Sequence, residues 1–162
     1  MEKEQKKIML LLTEECNLAC SYCYEHHKRP RTMDFSQARR IIDAHYAQTA
    51  PGETVLIEVF GGEPFLNFPL MQQIDDYVVT TYGDRVNLFE TTTNGTLVHG
   101  EVQSWLAARR DRWRVSLSLD GTQAMHDHNR PLKGGGSSYA QIDREFFPAH
   151  LAGHCAGEAD AL

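Results

Sequence analysis

The sequence predicts an α/β fold in which parallel strands are joined by crossover helices. Short runs rich in β-branched residues alternate with amphipathic segments, which argues for a parallel sheet with right-handed connections. Strand starts near residues 54, 86 and 114 lie about 30 residues apart, the length of one βαβ unit. One parity along these strands is polar, and that detail distinguishes a curled sheet from a flat one.

The elements follow in order. Ile8–Thr13 reads as a buried strand. Asp34 then stands three residues before Gln37, a capping-box arrangement, and Phe35, Ala38, Ile41, Ile42 and Tyr46 share one helical face behind it. Pro51-Gly52 breaks this helix, and Thr54–Phe60 forms the second strand. Pro69 opens a helix with Leu70, Ile74, Tyr77 and Val78 on one face, closed by Gly83. Val86–Thr93 is the third strand, ended by Asn94-Gly95. Val102, Trp105 and Leu106 stripe a third helix, and Arg114–Leu119 is the fourth strand, ended by Asp120-Gly121. A last helix is expected through Tyr139, Ile142 and Phe146, stopped by Pro148. The chain divides into a polar tail (residues 1–7), one core domain (8–147) and an irregular alanine- and glycine-rich tail (148–162).

Parallel strands covered on both faces read as nearly continuous apolar runs. Here Glu58, Glu90, Thr92, Asn94, Ser116, Ser118 and Asp120 share one parity, while Val55, Ile57, Val59, Val115, Leu117 and Leu119 share the other. Side chains alternate between faces, so the apolar set packs under helices and the polar set faces a wet or ligand-bearing cavity.

Composition narrows the functional classes. Hydrophobic residues make up 41% and charged residues 23%, ordinary values for a globular domain. A net charge of −6 argues against unspecific nucleic-acid binding, which needs a basic surface. No apolar stretch reaches the roughly 20 residues that span a bilayer, and Ile8–Leu12 is short for a signal-peptide core. Four cysteines without a secretory signal point to a reducing cytoplasm.

Three of them, Cys16, Cys20 and Cys23, form the array Cys-x3-Cys-x2-Cys directly after the first strand. Three thiolates on one loop can hold three irons of a cubane cluster and leave the fourth iron open to a small molecule. The alternative is a structural zinc site, with Cys23-x2-His26 adding a nitrogen, although the second knuckle usual for zinc is missing. Gly61-Gly62-Glu63-Pro64 ends the second strand; glycines there admit close backbone approach, and a carboxylate can accept from an ammonium group. By itself that segment is also a plain strand-ending turn. Asn94 and Asp120, each followed by glycine, are equally turn formers. All these segments fall at the carboxyl ends of strands, where open α/β sheets and barrels bind ligands.

The loop Cys16-Asn17-Leu18-Ala19-Cys20-Ser21-Tyr22-Cys23-Tyr24 resembles the signature of the radical S-adenosylmethionine (radical SAM) enzymes, including the aromatic residue before the third cysteine. Gly61-Gly62-Glu63-Pro64, Thr93-Asn94-Gly95-Thr96-Leu97 and Ser116-Leu117-Ser118-Leu119-Asp120-Gly121 match further segments of that family, closest to its peptide- and protein-maturing branch, which includes anaerobic sulfatase maturases. The resemblance implies a partial radical SAM (β/α) barrel with about four of the usual six βα units. It implies a 4Fe–4S cluster on Cys16, Cys20 and Cys23, and S-adenosylmethionine held by Gly61, Gly62, Glu63, Pro64, Asn94, Ser118 and Asp120, with Glu63 near the methionine amine. It also implies reductive cleavage of that cofactor to a 5′-deoxyadenosyl radical, which abstracts hydrogen from a peptide or protein substrate. A reductant such as flavodoxin or ferredoxin would supply the electron. His126-Asp127-x2-Arg130 resembles a segment that follows the fourth strand in these enzymes, where a guanidinium can meet a carboxylate. A cysteine-rich extension for auxiliary clusters is missing, and a truncated chain is expected. A non-catalytic fragment that binds cluster or cofactor, or a zinc-stabilised binding module, would share much of the same sequence.

Overall fold

The computed structural model describes residues 6–24 and 29–148. Four parallel strands, β1 (Lys6–Thr13), β2 (Thr54–Gly61), β3 (Val86–Thr93) and β4 (Trp113–Leu117), form one sheet in the order β1-β2-β3-β4. Helices α1 (Phe35–Tyr46), α2 (Phe68–Thr81) and α3 (Glu101–Ala107) are the three crossovers, and α4 (Gln123–Asn129) follows β4. The expected α/β sheet of four βα units is therefore present. Lys6 and Lys7, assigned by sequence to the polar tail, belong to β1.

Local chemistry explains the boundaries. Asp34 accepts from the Gln37 amide at 2.9 Å while its own amide donates to Gln37 Oε1 at 3.0 Å, which completes the capping box of α1. A 3₁₀ turn, Pro64–Asn67, leads into α2. The amides of Glu14 and Met33 bond the carbonyls of Arg31 and Leu12, so residues 31–33 cover the upper outer edge of β1.

Two sequence expectations change in the fourth unit. Residues after Asp120 form a helix, α4, whose cap Thr122 accepts from the Met125 amide. The helix expected through Tyr139, Ile142 and Phe146 is replaced by a 3₁₀ turn, Tyr139–Gln141, and extended backbone at Ile142. Asp143 marks the break as an N-cap does: its carboxylate accepts from the amides of Glu145 and Phe146, and the backbone turns helical only at residues 146–148. Ile142 and Phe147 are instead buried in the core.

The apolar parity packs as expected except at the end of β4, where Leu117 is half-buried and Leu119 is exposed. Ile8, Leu10, Leu12, Val55, Ile57, Val59 and Val115 are buried together with Ala38 and Ile42 of α1 and Leu70, Met71, Ile74 and Val78 of α2. Phe89 stacks on Trp113 with ring centroids 4.8 Å apart, and Trp105 meets Trp113 edge-on at 5.0 Å. Each such side chain, fully buried, contributes about 1.5–3 kcal/mol. Asp75 of α2 is fully buried and accepts from Arg109, from Arg112 and from Trp113 Nε1, tying α2 to the turn before β4.

The other face of the sheet is open. Parallel register places Met9, Glu58, Glu90 and Arg114 in one row and Thr92 beside Ser116 in another. Lys7 Nζ lies 2.9 Å from both Glu58 and Glu90. Met9, Leu56 and Phe60 share this parity, so the face is mixed rather than wholly polar.

Candidate functional site

A cavity of about 350 Å³ opens on this face at the carboxyl ends of the strands. Cys16, Cys20 and Cys23 line it, together with Gly61 and Gly62 at the end of β2, Asn94 just after β3, Ser118 just after β4 and Arg130 after α4. Segments separated by more than a hundred residues thus meet around three thiols. A larger, more open groove of about 730 Å³ lies against α1, lined by Arg31, Gln37 and Arg40, and contains none of these residues.

The cysteine loop is held from two sides. Cys16 is buried, and its Sγ accepts from the Leu18 amide at 3.4 Å and from Asn94 Nδ2 at 3.9 Å. Asn94 Nδ2 also donates to Asn17 Oδ1 at 2.9 Å, and Asn17 Nδ2 donates to Thr96 Oγ1 at 2.7 Å. On the far side the amides of Ala19 and Ser21 bond the carbonyls of Pro131 and Asn129, and Lys133 donates to the Asn17 carbonyl. The loop therefore pairs with residues 129–133 much as two short strands do. Asn94-Gly95 is also a turn, since Gly95 has φ 80 and Asn94 Oδ1 accepts from the Thr96 amide at 3.0 Å.

Gly61 and Gly62 line the cavity, yet their missing side chains serve a second purpose. A Cβ on Gly61 would lie 2.2 Å from the Thr13 carbonyl oxygen, and one on Gly62 would lie 2.3 Å from that of Glu15. The backbone at the end of β2 therefore passes directly against the start of the cysteine loop, with the Gly62 and Glu63 amides bonded to the Thr13 and Glu15 carbonyls.

Glu63 and Pro64 do not line the cavity. Glu63 is 1% exposed, and its carboxylate accepts from Thr93 Oγ1 at 2.8 Å, the Asn94 amide at 2.9 Å and the Phe65 amide at 3.2 Å. Burial pushes its carboxyl above the ordinary range against the pull of these three donors. The side chain expected to face an ammonium group is turned inward, because the ends of β2 and β3 need an acceptor between them. Pro64 begins the 3₁₀ turn and is buried.

Ser118 lies just beyond β4, with its amide bonded to the Thr93 carbonyl and its side of the chain facing the cavity. Asp120 sits at the rim. It accepts from Tyr22 Oη at 2.6 Å and Arg130 Nε at 3.0 Å, while its amide donates to His126 Nδ1 at 3.2 Å. Burial alone would raise the Asp120 carboxyl; bonds from Tyr22 and Arg130 outweigh it and hold the group below the usual carboxylate range. Burial and the Asp120 contact push the Tyr22 hydroxyl up to about 12. His126 is fully buried, which lowers its imidazole pKa and suits a neutral ring that accepts the Asp120 amide. Sequence reasoning missed Asn17, Thr93 and Thr96. Each acts through long-range contacts, Asn17 with Asn94 and Thr96, and Thr93 with Glu63, which spacing alone does not reveal.

Among the described residues, no group of three or more Cys, His, Asp or Glu is drawn together tightly enough to hold a single metal ion. His26, the nitrogen ligand of the zinc alternative, lies outside the described residues, as do His27 and Cys155. The three cysteines line one cavity. No described helix is long and apolar enough to cross a membrane.

A parallel α/β sheet with a cysteine-lined cavity at its carboxyl edge defines a cofactor-binding half-barrel. The chain belongs to the radical SAM superfamily, which it matches over residues 10–144. It is 34% identical over 130 residues to an uncharacterised protein of Methanocaldococcus jannaschii, covering 80% of this chain and 43% of that protein. It is 30% identical over 131 residues to the serine-type anaerobic sulfatase-maturating enzyme of Klebsiella aerogenes, covering 77% of this chain and 32% of the enzyme. The solved structure of native anSMEcpe with bound AdoMet and Kp18Cys peptide superposes with a TM-score of 0.79 at 21% identity, over 91% of this chain and 41% of that one. The chain thus spans less than half the length of these relatives. Matches extend to GTP 3′,8-cyclases, so kinship alone does not select a substrate class.

Proposed function

We propose that this chain forms the cofactor-binding core of a radical SAM peptide or protein maturase. The observation that carries the proposal is the convergence of Cys16, Cys20 and Cys23 on one cavity also lined by Gly61, Gly62 and Ser118. These three cysteines hold a 4Fe–4S cluster. With S-adenosylmethionine bound, the cluster supplies the electron for reductive cleavage to a 5′-deoxyadenosyl radical, the agent of hydrogen abstraction from the substrate.

The protein's own groups orient and shield. Gly61 and Gly62 present backbone to the cofactor, and Ser118 presents a hydroxyl from the opposite strand end. Arg130 uses Nε on Asp120 and lines the cavity, which suits it to receive a carboxylate. Asn94 holds Cys16 in place through its contact with Sγ, and Glu63 braces the strand ends rather than touching the amine. A peptide or protein is the proposed substrate, with a flavodoxin- or ferredoxin-type reductant and a cytoplasmic setting. Support for the peptide comes from the maturase relatives.

Anaerobic reconstitution with iron and sulfide tests the assignment. Near-stoichiometric uptake of four irons, lost on Cys16→Ala, Cys20→Ala or Cys23→Ala, is expected, together with dithionite-dependent formation of 5′-deoxyadenosine. A colourless protein that retains zinc, or a Cys20→Ala variant with full iron content, would overturn it. Peptide against nucleotide substrates is decided by which of the two, when deuterated, transfers deuterium to 5′-deoxyadenosine.

A further inference from the structure

Asp120 divides its carboxylate between side chains of the cysteine loop and of the segment after α4. Oδ2 accepts from Tyr22 Oη at 2.6 Å, and Oδ1 accepts from Arg130 Nε at 3.0 Å. The guanidinium in turn lies over the Tyr22 ring, 5.3 Å from its centroid, a cation–π contact. Asp120 is itself fixed by its amide, which donates to Nδ1 of the fully buried His126, and His126 packs edge-on against Tyr139 at 5.7 Å. Tyr22 directly precedes Cys23, whose amide closes a turn onto the Cys20 carbonyl. Asp120 does not line the cavity.

We infer that Asp120 is a positioning residue that clamps the Tyr22–Cys23 end of the cysteine loop and the Arg130 guanidinium into one fixed geometry. A carboxylate suits that point: one oxygen takes the Tyr22 hydroxyl proton and the other the Arg130 N–H, so both donors are satisfied at once by charge-assisted bonds. Backbone pairing holds residues 17–21, but past Ser21 the loop has no further backbone bond to residues 129–133, and the side-chain clamp takes over there. This rests on the function proposed above only for what the loop holds; the clamp itself is a property of the chain.

Thiol alkylation of the metal-free protein, read cysteine by cysteine by mass spectrometry, tests the clamp without any cluster. Tyr22→Phe deletes one oxygen at an exposed position and leaves the fold intact; Asp120→Ala deletes the acceptor. Each is expected to speed alkylation of Cys23 about ten-fold, the scale of one lost charge-assisted hydrogen bond. The double variant should be no faster than either single one, while Cys16, held by Asn94 and the Leu18 amide, keeps its wild-type rate. Additive effects, unchanged Cys23 rates, or an equal rise at Cys16 would overturn the inference. If Asp120→Ala lowers the thermal midpoint so far that all cysteines react together, Tyr22→Phe alone decides. Wild-type protein that takes up no iron and sulfide refutes the proposed function and leaves this outcome standing.

Discussion

Asn94 Nδ2 donates to Asn17 Oδ1 at 2.9 Å and reaches the neighbouring Cys16 Sγ at 3.9 Å. The two asparagines stand 77 positions apart, and their contact places the first cysteine of the loop beneath the end of β3. Asn94 Oδ1 meanwhile accepts from both the amide and the hydroxyl of Thr96. One side chain therefore forms a local turn and a long-range tie.

Replacing it separates these roles. Asn94→Ala removes every one of these bonds and leaves Asn17 Oδ1 and the Thr96 groups unanswered, so a loss of about 1–3 kcal/mol is expected in urea unfolding. Asn94→Asp keeps the acceptor for Thr96 but sets a negative charge beside the thiolate. It should fold nearly as well as wild type and retain markedly less iron after reconstitution.

Gly61 and Gly62 yield a second prediction, of steric origin. An alanine methyl at either position would enter the Thr13 or Glu15 carbonyl at 2.2 or 2.3 Å, and these are backbone atoms that cannot rotate away. Gly62→Ala is expected to cost about 3 kcal/mol, the upper end for overpacking, and to shift the cysteine loop. Thermal melting of the metal-free protein checks the first effect and iron content after reconstitution the second.

These cases show what was legible in the sequence. The four strands, three crossover helices and the capping box at Asp34 depend on local pattern, and a periodic pattern survives folding. The strand-end motifs were legible because each strand end delivers its residues to one edge of the sheet. What local pattern cannot convey is orientation. Glu63 beside two glycines reads as a ligand contact, yet the buried gap between β2 and β3 takes its carboxylate. Asp120 before glycine reads as a turn, yet it meets Tyr22, 98 positions away. The single helix expected from Tyr139 through Phe146 is interrupted for a related reason, since Ile142 is extended and Asp143 caps a fresh helical start at residues 146–148.

Glu63 allows a test by pH. Its carboxyl is raised above the ordinary 4.5 by burial, so the folded state binds a proton more tightly than the unfolded chain. That contribution is fully present below the unfolded value and fades as pH rises through the folded one. Glu63→Gln keeps an acceptor for Thr93 and Phe65 but turns an amide NH₂ toward the Asn94 N–H, costing about 1–3 kcal/mol. The wild-type advantage over Glu63→Gln should therefore be largest near pH 4 and smaller at neutrality, measured by urea unfolding of the metal-free protein across that range.

Asp75 behaves with the opposite sign. Burial alone would raise its carboxyl, but hydrogen bonds from Arg112, Trp113 and Arg109 outweigh this and hold it below the ordinary 3.8. The ionised form is thus the one the fold prefers. Its contribution is complete above the unfolded value and is lost as pH falls through the lower folded one. Asp75→Ala would leave two partly buried guanidinium groups and the Trp113 N–H without their shared acceptor, a loss of about 3–5 kcal/mol. Asp75→Asn keeps one acceptor oxygen and should lose less. The gap between wild type and Asp75→Asn should stay constant from neutrality down to about pH 5 and close only below about pH 4. Since α2 and the turn before β4 are joined here, hydrogen exchange should quicken first in Trp113 and its strand neighbours, well away from the cysteine loop.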